Sequence, residues 1–299
     1  MANSYFKGHG LGNEYIVLDP RELNFQLTPG RIARICDREK GIGSDGILSL
    51  EDSGSADFGL RIWNPDGSEA ETSGNGLRIF ALYLHATGRT RKKSFTVETR
   101  GGTVRVETQH DQCGAEDASG PVCGATVHMG RATFRPEALP CTLEVDELIE
   151  QPIRTAGETL TFTGVNVGNS HCVVFRSQDR QWSRDDLLRL CPALETHPIF
   201  PNRINVQLAE PTGPSKIRIL IWERGVGETP SSGSSACAAA SAAVRLGLVT
   251  SPVSVESPGG ALLVDVDEKF KLTLTGPVAE VARGTFSEAM LREILDADD

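Results

Sequence analysis

The chain has 299 residues, 39% of them apolar and 23% charged, which suits two globular domains and is too little chain for three. Its formal charge of −10 argues against the basic face that a nucleic acid or an anionic membrane surface requires. There is no run of about 20 apolar residues to span a bilayer, and Met1 to Leu18 carries Lys7 and Glu14 in place of an apolar leader core, so a cytoplasmic protein without a membrane partner is expected.

In chain order, Gly8-His9-Gly10-Leu11-Gly12 comes first. A strand pattern, Tyr15–Leu18, follows it where a dinucleotide fingerprint needs a helix. Phe58–Trp63 has the β-branched and aromatic residues of a second strand. A polar loop with Asn64, Asp66 and Glu69 leads through Ser73-Gly74-Asn75-Gly76 into a helix over Leu77–Thr87, closed by Gly88. The Gly-, Ser- and Asp-rich stretch 111–124 reads as a linker. Beyond it Gly168-Asn169-Ser170-His171 precedes a strand over Cys172–Phe175, and another strand covers Ile217–Trp222. A loop with Glu223, Arg224 and Glu228 then runs through Ser232-Gly233-Ser234-Ser235 into a helix over Ala236–Leu246, closed by Gly247. That helix is small and apolar all round, the pattern of a buried helix.

The second series repeats the first. Gly12–Leu18 matches Gly168–Val174, the Trp63 block matches the Trp222 block, and Ser73–Gly76 matches Ser232–Ser235, in order and at nearly constant offset. A weaker fourth pair joins Met129–Phe134 to Val281–Phe286. A duplicated domain is the reading. The expected fold is α/β of the α+β kind, with two pseudo-symmetric domains, each a mostly antiparallel sheet wrapped round a central helix. The expected bounds are 1–124 plus 277–299 for one domain and 125–276 for the other. The copies are expected to face each other across a cleft with Ser73 and Ser232 at its centre.

The chemistry points to the two loop-to-helix junctions. The first turn of a helix has free N–H groups and the positive end of the dipole, and glycine lets a ligand approach the backbone. Such a junction binds carboxylate or phosphate. Each serine can equally be an ordinary helix cap. The seven cysteines are scattered without a CxxC, and the six histidines show no ligand spacing, so reduced thiols and no metal are expected. No P-loop, GxSxG elbow or HExxH is present.

Seven stretches then resemble one family in its order along nearly the whole chain: Phe6–Asn13, Gly41–Gly46, Asn64–Ser68, Gly74–Gly76, Gly168–His171, Arg203–Val206 and Glu223–Thr229. That family is diaminopimelate epimerase. The resemblance implies its fold, no cofactor, and a small amino-acid substrate whose α-proton is removed on one face by one cysteine and replaced on the other by a second. It implies that Asn13, Asn64, Asn169, Asn205 and Arg224 bind substrate. Gly74, Asn75, Gly233 and Ser234 would cradle the α-carboxylate, and His171 and Glu223 would assist the base of the second domain. A homodimer is a further implication.

The sequence departs from that pattern where the chemistry is decided. Serine, at Ser73 and Ser232, stands where the family has its two cysteines. A thiol ionises near 8.5, and a helix N-terminus lowers this, whereas a hydroxyl ionises far higher. A serine base needs a neighbour to take its proton. His171 and Glu223 suggest a Ser–His–Glu relay at Ser232. Gly46 also stands where some members carry a substrate-binding Gln. Three activities stay open: an epimerase on diaminopimelate, a divergent racemase, isomerase or dehydratase on another acid, and a homologue that binds without turnover.

Overall fold

The structure, a computed structural model, describes residues 2–110, 121–176 and 181–298. The chain divides into two compact units, Met1–Val127 with Gly276–Asp299, and His128–Thr275.

In the first unit β1 (Ser4–Gly10) and β2 (Asn13–Leu18) form a hairpin. Its two-residue turn holds Leu11 at φ 57° and Gly12 at φ 87°, the double positive φ that matches the twist of a tight hairpin. The glycine-rich stretch is thus a hairpin. Helix α1 (Pro29–Cys36), capped by Thr28 with Pro29 in its first turn, crosses to β3 (Ile47–Glu51), which runs parallel to β2. β4 (Phe58–Trp63) lies antiparallel to β3 and carries the short β5 (Glu69–Ala70). Helix α2 (Gly74–Ala86) crosses to β6 (Ser94–Thr99), parallel to β4. β7 (Gly102–His110) and β8 (Val122–Arg131) continue antiparallel.

The second unit repeats this order. β9 (Gln151–Thr155), β10 (Glu158–Asn166) and β11 (Ser170–Phe175) are successively antiparallel. Helix α3 (Arg184–Glu195) crosses to the parallel β12 (Asn205–Gly213), followed by the antiparallel β13 (Lys216–Glu223) and the short β14 (Gly227–Thr229). Helix α4 (Gly233–Arg245) crosses to β15 (Val253–Ser257), parallel to β13. β16 (Gly260–Val266) and β17 (Lys271–Pro277) follow antiparallel. Finally β18 (Ala279–Thr285) returns to the outer edge of β1, as β9 does to β10, and α5 (Glu288–Leu295) packs on α1. In each unit the strand pairs are mostly antiparallel, and the two parallel pairs are each bridged by a helix.

In α2 every residue from Gly74 to Leu84 is buried, and in α4 so is every one from Ser235 to Ala243. Each helix packs on several strands of its own unit. The other face of the first sheet packs Ile16, Leu18 and Ile47 against Ile32 and Ile35 of α1 and Ile294 of α5. Burial on both faces makes β2 apolar from Tyr15 to Leu18, with no alternation. No helix among the described residues is long and apolar enough to cross a membrane.

Two helix starts differ from the sequence reading. Leu77 and Ala236 open the apolar runs, but the helices begin at Gly74 and Gly233. Each serine accepts the N–H three residues on, which brings the intervening polar residues into the first turn. At the other end Gly88 and Gly247, at φ 70° and 68°, close the helices. Of the expected linker, residues 111–120 lie outside the described residues, and Val122 to Gly124 belong to β8.

Candidate functional site

The start of α2 gathers four of the candidates. Ser73, half-buried, takes an extended backbone, and its Oγ accepts the Gly76 N–H at 3.0 Å. Asn75 donates Nδ2 to both the carbonyl oxygen and Oδ1 of Asn13, at 2.8 and 2.6 Å. Asn13 Nδ2 in turn donates to Asp45 Oδ2 at 3.2 Å. From behind, Arg78 donates Nη2 to Asn75 Oδ1 at 3.0 Å, Nε to the Gly74 carbonyl at 3.3 Å and Nη1 to the Pro277 carbonyl at 3.2 Å. Arg78 is 1% exposed. Asn75 is therefore fixed at both ends of its amide. Gly10 permits this, because a Cβ there would lie 2.0 Å from Asn75 Oδ1. Asn64 is held within its own turn, donating Nδ2 to Ser68 Oγ at 2.9 Å. At Gly46 a Cβ would lie 2.3 Å from the Trp63 carbonyl oxygen, so the backbone path admits no side chain there.

The start of α4 gathers Ser232, Gly233, Ser234, Asn169 and His171 in a different pattern, while Asn205, Arg224 and Glu223 are held by contacts of their own. Ser232 Oγ accepts the Ser235 N–H at 3.5 Å and lies 3.4 Å from Ser234 Oγ. Asn169 Nδ2 donates to Ser234 Oγ at 3.4 Å, and Asn169 Oδ1 lies 2.7 Å from His171 Nε2. Asn205 donates Nδ2 to the Ser170 carbonyl at 2.9 Å and accepts the Arg224 N–H at 3.0 Å. Arg224 Nη1 donates to the Asn202 carbonyl at 3.2 Å. Glu223 ends β13 and accepts the Val226 N–H at 3.1 Å through its carbonyl. The turn that follows is pinned by Glu195, whose carboxylate accepts the Trp222 indole N–H at 2.7 Å and the Gly225 N–H at 2.9 Å.

His171 does not stand where a relay would place it. Its Nε2 bonds to Asn169, and Asn169 and Ser234 intervene before Ser232 is reached. The ring is fully buried, and loss of solvent pushes its pKa down to about 3, with the Arg224 charge adding to the fall. A neutral imidazole with so little affinity for a proton is suited to orient neighbours and unsuited to take a proton from serine. The sign of the pH effect follows. Unfolded, the ring binds a proton below about 6.5; folded, it does so only near 3. The unfolded state thus binds more protons between these values, and stability is lost as the pH drops through that window, by about 4–5 kcal/mol in all. Denaturant titrations of the parent and a His171→Gln variant from pH 7 to 4 check this: the variant's stability should fall less steeply, and parallel profiles would contradict it.

Glu195, Arg78 and Gln207 had no sequence signal, and Asp45 lay in the Gly41–Gly46 stretch without a role assigned to it. Each is one polar residue within an ordinary helix, loop or strand, and only the fold shows what it holds. Both helix starts can do the same chemistry. Free N–H groups at Gly74 and Asn75, and at Gly233 and Ser234, offer donors and a positive dipole end to a carboxylate.

Residues 5–134 and 163–281 match the family model described as diaminopimelate epimerase. A protein named diaminopimelate epimerase 2 from Nostoc sp. is 42% identical over 285 residues, covering 95% of each chain. The diaminopimelate epimerase of Erythrobacter litoralis is 41% identical, covering 96% of this chain and 98% of its own. Among solved structures, a hydroxyproline epimerase from Agrobacterium vitis superposes with a TM-score of 0.67 at 15% identity, over 94% of this chain and 91% of that one. A methylitaconate-delta-isomerase does so with a TM-score of 0.61, also at 15% identity, over 97% of each. These two share the fold.

Proposed function

The chain belongs to the diaminopimelate epimerase family, and on that premise we propose that it is a cofactor-independent isomerase that interconverts LL- and meso-diaminopimelate by moving the α-proton from one face to the other. The observation that carries the reading is the repeated helix start, a serine cap followed by glycine, once in each unit. In this reading Ser73 and Ser232 are the two proton-carrying groups. The free N–H groups beside them hold the substrate's α-carboxylate and stabilise the charge that spreads onto it when the α-proton leaves. Asn13, Asn64, Asn169, Asn205 and Arg224 would fix the rest of the substrate, Glu223 would assist at Ser232, and His171 would orient Asn169.

The proton step is the weak one. For Cα–H to be broken, one serine oxygen has to be anionic at that moment, and the other has to give up its proton on the opposite face. The N–H groups donated to each Oγ favour the anion, as they would favour a thiolate. A hydroxyl nevertheless starts so far above neutral pH that its anionic fraction stays very small. Turnover is therefore expected to be slow. The serine pair also favours a second reading, a protein that binds the amino acid without converting it.

Incubation with LL-diaminopimelate in D₂O, followed by proton NMR of the α-position, separates these. Exchange with inversion supports the epimerase. Binding without exchange supports the second reading. Exchange with other amino acids alone would move the substrate elsewhere.

A further inference from the structure

Gln207 and His171 lie on the adjacent parallel strands β12 and β11, where Gln207 is in register with Val173, two residues on from the histidine. Both side chains are completely buried. Gln207 faces the imidazole on one side, and on the other its Nε2 lies 3.0 Å from Ser235 Oγ, inside the first turn of α4. With the amide oxygen toward the ring, His171 Nδ1 and Gln207 Oε1 are both left without a hydrogen bond. Two buried polar atoms without partners carry a large desolvation penalty.

Hydrogen-bond accounting resolves this. Asn169 Oδ1 only accepts, so His171 Nε2 at 2.7 Å has to carry the proton, and Nδ1 of the neutral ring is then an acceptor. An amide's O and N occupy near-equivalent places, and their assignment follows from the network. Turning the Gln207 amide by half a rotation puts a donor, Nε2–H, on the side that faces the imidazole, and Oε1 3.0 Å from Ser235 Oγ, whose hydroxyl then donates to it. That single change gives Oε1 a partner and turns a donor toward the accepting Nδ1, and the Asn169 amide, already engaged at both ends, stays as it is. The opposite solution turns Asn169 instead and leaves the buried Ser235 proton without an acceptor.

We propose that Gln207 is a positioning residue for the site: by donating to Nδ1 it holds His171 as the Nε2–H tautomer, which orients the Asn169 amide toward Ser234, while its oxygen ties the strand to the first turn of α4 through Ser235. This rests on the epimerase reading for its purpose, although its geometry does not. Asn169 presents Nδ2 to the helix start that carries Ser232 only while the imidazole donates to its oxygen. A carboxylate at 207 would accept where the amide donates, and would draw the proton to Nδ1.

The test is long-range proton–nitrogen NMR on the full chain labelled with ¹⁵N-histidine, with His171 assigned from a His171→Gln sample. The expected result is a single neutral tautomer protonated at Nε2. Gln207→Glu should place a proton on Nδ1 and lower the α-proton exchange rate about a hundredfold, while Gln207→Asn, which keeps the amide, stays closer to the parent. An Nδ1–H tautomer in the parent overturns the proposal. So does a Gln207→Glu protein whose ring is still protonated at Nε2 alone. Loss of the epimerase reading has a separate signature: no exchange in the parent, with the Nε2–H tautomer intact.

Discussion

A Ser73→Cys/Ser232→Cys double variant should exchange the α-proton of LL-diaminopimelate about 10²–10⁴ times faster than the parent, the usual gain from a well-matched general base. Each new thiol would sit where Gly76 N–H and Ser235 N–H now point at the serine oxygens, at the positive end of a 13-residue buried helix. That environment lowers a thiol from about 8.5, so the rate should climb as one thiol ionises below that value and fall again once the second, which has to keep its proton, ionises too. The serine parent should show no such maximum. The single variants should divide the two halves of the reaction. With a thiol on one face only, a proton is removed and returned on the same side, and exchange outruns inversion. A double variant no faster than the parent would mean that these positions do not carry the proton.

Removing Arg78 should have the largest effect on stability. Its guanidinium donates to the carbonyls of Gly74 and Pro277 and to Asn75 Oδ1, and the side chain is buried. Arg78→Met keeps much of the volume and leaves those acceptors without these donors. The cost should be about 3–5 kcal/mol, the range found for breaking a buried charged network. Arg78→Lys should recover only part of it, because an ammonium on a flexible stem cannot serve three fixed directions as the planar fork does. Denaturant unfolding of the three proteins measures this. A methionine variant within about 1 kcal/mol of the parent would show that the network contributes little.

The duplication was legible because both copies keep short blocks of chemistry in order. The Gly-Asn turn, the Trp strand and the Ser-Gly junction each sit at matching places in β2 and β11, β4 and β13, and α2 and α4. Helix ends were legible where glycine needs a positive φ, at Gly88 and Gly247. Helix starts were not, because the apolar pattern begins a turn after the cap. The candidate residues were found largely by resemblance, and what holds them was not. Arg78, Glu195 and Gln207 act through contacts with residues distant in the chain, and a single buried polar residue in a strand or helix leaves no periodic trace. That His171 has no direct bond to Ser232 was hidden for the same reason. Sequence shows which side chains are present, but Asn169 and Ser234 intervene between His171 and Ser232 only in three dimensions.

The first unit is closed by the last part of the chain. β18 supplies the outer neighbour of β1, and Phe286 and Ile294 complete the cluster that contains Ile16, Ile32 and Ile35. The second unit, by contrast, is one uninterrupted stretch, His128–Thr275. On a ribosome the N-terminal strands therefore wait longest, with the outer edge of β1 unpaired and part of their apolar surface uncovered until β18 and α5 have been made. The half made second is the half that can finish first. Truncation before Gly276 would leave the second unit whole and expose the strands of the first, so the damage would fall on the segment farthest from the cut in sequence.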